Sequence, residues 1–204
     1  MIISGLEFRN QIPFKNVYFT GLVRDKKGRK MSKQLGNSPD PLKLISEYGA
    51  DSVRVGLMLC SSAGNDLLFD EKLCIQGKNF TNKIWNAYRL INSWTSSNNT
   101  DERQAEKDAI SWYENKYNLI LEVIENHFKL YRIKDAMLSI YKLIWDDFCS
   151  IFLEVVKPEF NSPINSSTLS KIFKIFQNNL KVLHPFMPFL TEELWEKIKD
   201  DSFK

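Results

Sequence analysis

The chain has 204 residues, a formal net charge of +3 and 43% hydrophobic residues. This hydrophobic content excludes a disordered chain, and the small net charge means that any nucleic-acid surface must be local. Three widely spaced cysteines and two isolated histidines predict a reduced protein without a metal site. There is no apolar run near the roughly 18 residues of a membrane helix and no secretory signal pattern. We therefore expect a cytoplasmic protein that does not bind a membrane.

The first 70 residues mix strand, loop and helix signals. The run VYFTGLV at 17–23 is β-branched and aromatic, which predicts a buried strand. Further on, Asp40 as N-cap, Pro41 at the first position and Gly49 at the stop predict a short helix. A second short helix, capped by Asp51, is predicted to follow it directly.

Residue 70 marks a change to purely helical patterns. Asp70 is the predicted N-cap of a long helix over 71–94. A polar linker at 95–102 separates this helix from two more long helices, the second of which ends at Pro158. The apolar residues of the first long helix recur at helical spacing: Phe80, Ile84, Ala87, Tyr88 and Ile91.

A fourth long helix begins after a second linker, with Ser166 or Ser167 as its predicted N-cap, and the chain resumes a helix with Thr191 as N-cap. Long helices joined by short polar connections form antiparallel bundles. We therefore predict a mainly α fold, with a small mixed α/β module at 1–70 followed by an antiparallel α-helical bundle at 71–204. The aromatic residues predicted to fill its core are Trp145, Phe148, Phe152, Phe173, Phe176, Phe186, Phe189 and Trp195.

The stretch GRKMSKQLGN at 28–37 is the first candidate site. Lys30 and Lys33 are three residues apart in a predicted loop, and lysine is a compact point charge on a long flexible stem. Such a pair can bind a polyphosphate and stabilise the negative charge that develops on a leaving phosphate. A solvated basic hairpin explains two lysines equally well, so the spacing alone leaves both interpretations open.

The longer string GRKMSKQLGNSPDPLKLISEYGADSVR resembles the KMSKS signature region of class I aminoacyl-tRNA synthetases. Two later strings, LIWDDFCSIFLEVVKP and LHPFMPFLTEELWE, resemble helices of the anticodon-binding domain of that class. The Gly-Asn-Asp loop, the Asn-Lys-x-Trp-Asn helix and the Leu-His-Pro-Phe-Met-Pro-Phe run are most similar to the valine-specific branch. The isoleucine- and leucine-specific branches are the alternatives, and the resemblance covers essentially the whole chain.

This resemblance implies a loop that closes over ATP while an amino acid is activated to its adenylate. Lys30 and Lys33 would then be catalytic and stabilise the triphosphate as pyrophosphate leaves, with Met31 and Ser32 also binding the nucleotide. Magnesium is expected to arrive with ATP. The family usually has serine at the fifth motif position, where this chain has Gln34. That difference puts any role specific to a hydroxyl in doubt.

The helix after Asp70 is the second candidate site. Amides and cations on one helical face could contact unpaired RNA bases and phosphates. The resemblance implies that this face lies near the anticodon stem-loop of a tRNA. The alternative is a solvated polar face above a packed one. The predicted tRNA contacts are Lys78, Asn79, Phe80, Lys83 and Arg89.

The family's nucleotide-binding HIGH-type motif, its amino-acid pocket and its editing domain are not found in this chain. The resemblance therefore implies one part of an ATP-dependent enzyme that joins valine to its tRNA, inactive without the rest of the synthetase chain. We expect it to be monomeric. The remaining alternative is a non-catalytic helical RNA-binding module.

Overall fold

A computed structural model of the chain describes residues 1–19, 21–60 and 65–201, with no side chains described for 199–201. The predicted mainly α fold is confirmed. The helices are α1 (Ile2–Arg9), α2 (Pro41–Tyr48), α3 (Ala50–Cys60), α4 (Glu71–Asn92), α5 (Gln104–Lys129), α6 (Ile133–Lys142), α7 (Leu153–Val156), α8 (Ser166–Leu183) and α9 (Pro188–Asp201), with a π-helical segment (Leu143–Phe152) between α6 and α7. The strands are β1 (Val23–Arg24), β2 (Leu67–Leu68), β3 (Ser96–Ser97) and β4 (Ile164–Asn165).

The strands form two parallel pairs, β1 with β2 and β3 with β4. The second pair joins the two predicted polar linkers to each other. The prediction of a buried strand over 17–23 is wrong for the described residues, and Thr20 lies outside them. Only Val23 belongs to a strand, and Val17 and Phe19 are 58% and 78% exposed. Strands β1 and β2 pair over only two residues, and the side chains of Val17 and Phe19 are not packed into either apolar cluster of the described residues.

Two of the predicted helix starts are confirmed. The Asp40 side chain accepts a hydrogen bond from the Leu42 N–H, and Pro41 is the first residue of α2. The same helix stops at Gly49, whose φ of +90° favours glycine. The Asp70 side chain accepts from the Lys72 N–H and caps α4. Local capping chemistry was therefore enough to place these ends.

The other predicted N-caps are wrong. The N-cap of α8 is Asn165, whose side chain accepts from the N–H groups of Ser167 and Thr168, so the helix begins at Ser166 itself. The last helix, α9, begins at Pro188, and Thr191 lies inside its first turn. The Thr191 hydroxyl donates back to the Met187 carbonyl at 2.8 Å. Proline is favoured at the first helical position because its missing N–H would have no helical partner there.

The main core lies among helices α3 to α9, and the apolar stripe of α4 is buried throughout. Phe148, Phe152, Phe176 and Phe186 are buried as predicted. Phe189 is 65% exposed, so its prediction as a core residue is wrong, because the first turn of α9 turns this side chain outward. A second, smaller cluster joins the loop to the short helices: Leu44, Val53, Phe69 and Cys74, with Met31, Tyr48 and Cys60 packed against it.

The third long helix departs from regular α geometry. Residues 143–152 are π-helical, and the Ser150 hydroxyl donates to the carbonyl of Trp145, five residues earlier. Within this segment Phe148 and Phe152 are fully buried and stack with their ring centroids 5.5 Å apart. A periodicity of 3.6 residues cannot reveal this widening, so the sequence predicts one ordinary helix.

Helices α3 and α4 cross at close range where glycine allows it. A Cβ atom on Gly77 would lie 2.5 Å from the carbonyl oxygen of Ser52, and one on Gly56 would lie 3.1 Å from the sulfur of Cys74. The residues before and after position 70 therefore share a tightly packed interface. The domain boundary at residue 70 stays a prediction. Within the described ranges no helix is long and apolar enough to cross a membrane.

Candidate functional site

The lysine loop extends from a short hairpin. Arg24 pairs with Lys30 in an antiparallel bridge, and the Met31 N–H donates to the Val23 carbonyl at 2.9 Å. The turn contains Gly28, whose φ is +75°, and a Cβ atom on this residue would meet no other atom within 4 Å. A left-handed residue at an open turn is a position where glycine is favoured. The hairpin thus fixes where the loop begins.

Asp66 holds the first strand of this hairpin. Its carboxylate accepts from the Leu22 N–H at 3.0 Å and forms an ion pair with the Arg24 guanidinium. The Arg24 hydrogen bond is the largest cause that lowers the pKa of Asp66. Asp66 belongs to the Gly-Asn-Asp motif, of which Gly64 lies outside the described residues. This motif therefore supports the strand that precedes the loop.

Met31 and Ser32 anchor the loop. The Met31 side chain packs against the small apolar cluster around Leu44, so it faces the protein. The Ser32 N–H donates to the Asn37 side chain at 2.9 Å, and the Ser32 hydroxyl accepts from the Gln34 N–H at 3.2 Å. At the unusual fifth position the backbone of Gln34 is therefore engaged. Nucleotide binding by Met31 and Ser32 stays a prediction.

The charge on this hairpin is only partly compensated. Six cations lie between residues 24 and 33. Three form ion pairs: Arg24 with Asp66, Lys26 with Asp70, and Arg29 with Asp25. In the part of the chain that the structure describes, Lys27, Lys30 and Lys33 form no ion pair, and all three are exposed. The structure therefore presents three uncompensated ammonium groups on one short loop, and Lys30 and Lys33 are two of them.

Four of the five predicted tRNA contacts lie on the outer side of α4, and the fifth is buried. On a helix with 3.6 residues per turn, Lys78, Asn79, Lys83 and Arg89 fall within an arc of about 140°, on the side of α4 that faces away from the core. Phe80 is different. It is 0% exposed, with its ring centroid 4.6 Å from that of Tyr141, so the prediction that it contacts tRNA is corrected. Its position in the apolar stripe, about 100° round the helix from Asn79, places it in the core.

Two of the four remaining residues also have partners within the protein. The Lys78 ammonium donates to the Glu47 carbonyl at 3.0 Å, at the end of α2. The Lys83 ammonium lies 5.4 Å from the Trp145 ring centroid, within cation–π range. Asn79 and Arg89 are exposed, and no acidic residue occurs between positions 72 and 100. The outer face of α4 is therefore cationic and rich in amides.

A buried polar contact joins the end of the KMSKS-like string, which lies in α3, to the LHPFMPFLTEELWE string at the start of α9. The Asp51 carboxylate accepts from the Leu190 N–H at 2.6 Å, and Arg54 donates to the carbonyls of Pro185 and Phe186, each at 3.2 Å. Burial raises the pKa of Asp51, and the bond from Leu190 opposes that shift. The prediction that Asp51 caps its own helix is wrong: it lies in the first turn of α3 and caps α9.

No local sequence pattern signals this contact. Both motifs are recognisable, but their residues are more than 130 positions apart, and neither indicates the other as its partner. Among the described residues, no group of three or more histidine, cysteine or carboxylate side chains could hold a metal ion. The candidate sites are accordingly a cationic loop and a cationic helix face, connected through α3 and α4.

Two family models match separate parts of the chain. Residues 1–70 match the family described as tRNA synthetases class I (I, L, M and V). Residues 111–203 match the family described as the anticodon-binding domain of tRNA ligase.

Three curated relatives with high identity to this chain share one name. The valine–tRNA ligase of Christiangramia forsetii is 57% identical over 200 residues, which cover 98% of this chain and 23% of the relative. The valine–tRNA ligase of Bacteroides thetaiotaomicron is 53% identical, over 97% of this chain and 22% of the relative. That of Chlorobaculum tepidum is 36% identical, over 99% and 24%. The chain thus spans about a quarter of the length of the curated relatives it matches.

Solved structures share the fold at lower identity. The LeuRS–tRNA–LeuAMS ternary complex of Agrobacterium radiobacter K84 matches with a TM-score of 0.66 and 20% identity, over 96% of this chain and 24% of that one. Methionyl-tRNA synthetase of Mycobacterium tuberculosis, in complex with methionyl-adenylate, matches with a TM-score of 0.62 and 19% identity, over 86% and 36%. By sequence, the chain belongs to the class I tRNA synthetases, within the valine–tRNA ligase family.

Proposed function

We propose that this chain is the part of a valine–tRNA ligase that supplies the ATP-binding KMSK loop and a tRNA-binding helical bundle. The observation that carries the proposal is the loop itself. Lys30 and Lys33 are exposed, form no ion pair within the described residues, and extend from a hairpin that is fixed at both ends. Identity of 57% and 53% to ligases of this name supports the choice of valine over isoleucine or leucine.

The loop chemistry follows from charge. In amino-acid activation the valine carboxylate attacks the α-phosphate of ATP, and the bond to the β-phosphate breaks, so negative charge accumulates on the departing pyrophosphate. Two ammonium groups beside the β- and γ-phosphates stabilise that charge. Magnesium enters as part of the ATP substrate. The methionyl-adenylate held by a structural relative supports an adenylate intermediate here.

The outer face of α4 supplies the proposed tRNA surface. Asn79 and Arg89 are exposed, and Lys78 and Lys83 lie on the same arc. Cations would contact tRNA phosphates, and exposed amides would reach base edges of unpaired nucleotides. The tRNA in the LeuRS complex supports tRNA as the partner of this fold.

The same proposal has further parts. We place the boundary between the loop-bearing module and the anticodon-binding bundle at residue 70. We also propose that the enzyme acts as a monomer in the cytoplasm. Because the chain is about a quarter as long as its relatives, we propose that the 204-residue chain alone does not charge tRNA with valine.

ATP–pyrophosphate exchange tests the proposed function in the full-length ligase that contains this chain. We expect Lys33→Ala to lower kcat strongly and to leave the KM for ATP nearly unchanged, since the interaction forms in the transition state. Lys27→Ala is the matched control, because Lys27 is also exposed and forms no ion pair within the described residues, but lies outside the motif. An effect of Lys33→Ala on KM alone, or an equal loss in both variants, would contradict the proposal.

A further inference from the structure

The Asn37 carboxamide makes three contacts within the loop. Its Oδ1 accepts from the Ser32 N–H at 2.9 Å. Its Nδ2 donates to the Lys30 carbonyl at 3.2 Å and to Asp25 Oδ2 at 3.0 Å. One side chain thus holds the backbone on both sides of Met31, between the two motif lysines.

Asp25 fixes which way this amide faces. Its carboxylate accepts from the backbone N–H groups of Lys27 and Arg29 and from the Arg29 guanidinium, and its side chain is 14% exposed. Donors from Lys27 and Arg29 surround this carboxylate, and an ionised carboxylate can only accept hydrogen bonds. The Nδ2 of Asn37 must therefore face Asp25, which leaves Oδ1 facing Ser32.

The backbone between Lys30 and Lys33 is consequently held at several points, while both lysine side chains remain exposed. Met31 donates to Val23 and packs into the small cluster. The Gly36 N–H donates to the Lys33 carbonyl at 3.2 Å and closes the turn that follows. Holding charged groups in position before the reaction avoids reorganisation when the charge develops.

We propose that Asn37, oriented by Asp25, is a positioning residue that sets the backbone from which Lys30 and Lys33 reach the triphosphate. This inference rests on the proposed function. Asn37 itself contacts no reacting atom and acts through the lysines. Its removal should therefore have a smaller effect once one of the two lysines that it positions is gone.

The test compares variants of the full-length ligase by ATP–pyrophosphate exchange and by backbone amide exchange over residues 30–36. We expect Asn37→Ala to lower kcat by about tenfold or more, the effect of misplacing a catalytic group by a fraction of an ångström. Amide exchange in the loop should become faster, with the rest of the chain unchanged. Ser38→Ala, at the exposed neighbouring position, should alter neither quantity.

Two further variants separate positioning from general damage. Asn37→Asp places a second carboxylate against Asp25 and should lose at least as much activity as the alanine variant. Adding Asp25→Asn removes the repulsion between the two carboxylates, but the Lys30 carbonyl still lacks its donor. The double variant should therefore recover only the loss that exceeds that of Asn37→Ala. In a Lys33→Ala background, Asn37→Ala should lower kcat by less than it does in the parent enzyme, because only Lys30 is left to be positioned.

The outcomes distinguish this inference from the function on which it rests. Faster loop exchange in Asn37→Ala with unchanged kcat would overturn the inference, as would losses that add fully to those of Lys33→Ala. An unchanged kcat in Lys33→Ala itself would contradict the proposed function of the loop. Three results would together support the positioning role: loss of kcat in Asn37→Ala, a smaller loss from the same change in the Lys33→Ala background, and partial rescue of Asn37→Asp by Asp25→Asn.

Discussion

Asp51 in α3 accepts a hydrogen bond from the backbone N–H of Leu190 at the start of α9, at 2.6 Å. An acidic side chain near a helix N-terminus satisfies donors that have no helical partner and interacts favourably with the helix dipole. Arg54, one turn along α3, donates to two carbonyls of the corner between α8 and α9. Helix α3 therefore contacts both the first turn of α9 and the carbonyls that precede it.

Removing this cap should destabilise the chain. We expect Asp51→Ala to lower the free energy of unfolding by about 1–3 kcal/mol, the cost of leaving a buried donor without a partner. Asp51→Asn keeps an acceptor and should cost less. Urea unfolding of the 204-residue chain measures both, with the exposed Asp101→Ala as control. Equal stability of the Asp51→Ala variant and the parent chain would show that the contact contributes nothing.

Phe80 should matter to the fold and not to RNA binding. It is fully buried against Tyr141 and Trp145, so Phe80→Ala should destabilise the chain by about 3–5 kcal/mol through the cavity it leaves. The neighbouring exposed variant Asn79→Ala should unfold like the parent. Thermal unfolding compares the two. A tRNA-binding defect in fully folded Phe80→Ala would instead restore it as a contact residue.

Arg89 should contribute to tRNA affinity through phosphate. We expect Arg89→Ala to weaken binding of all tRNAs about equally and to reduce the slope of log K against log salt by roughly one. Lys129→Ala, at an exposed position on α5 where the lysine pairs with Glu125, is the control and should leave the slope unchanged. Fluorescence titrations across salt concentrations give both slopes. An unchanged slope in Arg89→Ala would remove this residue from the proposed surface.

Glu102 should make stability depend on pH. Its carboxylate accepts from the Lys171 ammonium at 2.9 Å and the Thr168 hydroxyl at 3.1 Å. The Lys171 bond is the largest cause that lowers the pKa of Glu102 below its ordinary value of 4.5. Since the folded state then binds fewer protons than the unfolded state, this stabilisation is present above pH 4.5 and is lost as the pH falls through the folded pKa.

The check is the melting temperature of the chain and of Glu102→Gln from neutral pH downward. The variant should be less stable at neutral pH, and the difference between the two proteins should shrink as the medium becomes acidic. Glu122→Gln, at an exposed position on α5, is the matched control. A difference that stays constant with pH would mean that the Glu102 charge has no part in the effect.

Sequence reasoning succeeded where the deciding chemistry is local. Asp40, Asp70 and Gly49 each act within one turn of their own helix, so their residue types predict the helix ends. The apolar stripe of α4 is likewise a property of a single helix. The spacing of Lys30 and Lys33 does not by itself identify them as functional residues. The resemblance of the whole motif to a known family does.

The failures share a physical cause, since each depends on a partner distant in sequence or on a departure from regular geometry. Asp51 caps α9 instead of its own helix because the fold brings Leu190 to it. The aromatic ring of Phe80 suggests stacking on RNA bases, but its place in the apolar stripe of α4 favours the core. Residues 17–19 have the composition of a buried strand, but Val17 and Phe19 are mostly exposed, and the Tyr18 ring packs against that of Tyr131.

The most direct test of the central claim is binding of this chain to a valine tRNA transcript, titrated with salt, beside a transcript that differs only in its anticodon. We predict tighter binding of the valine anticodon at every salt concentration, because the proposed surface on α4 carries amides that can contact bases as well as cations that can contact phosphates. Equal affinity for the two transcripts, or no binding of either, would contradict the claim that this bundle recognises the valine anticodon.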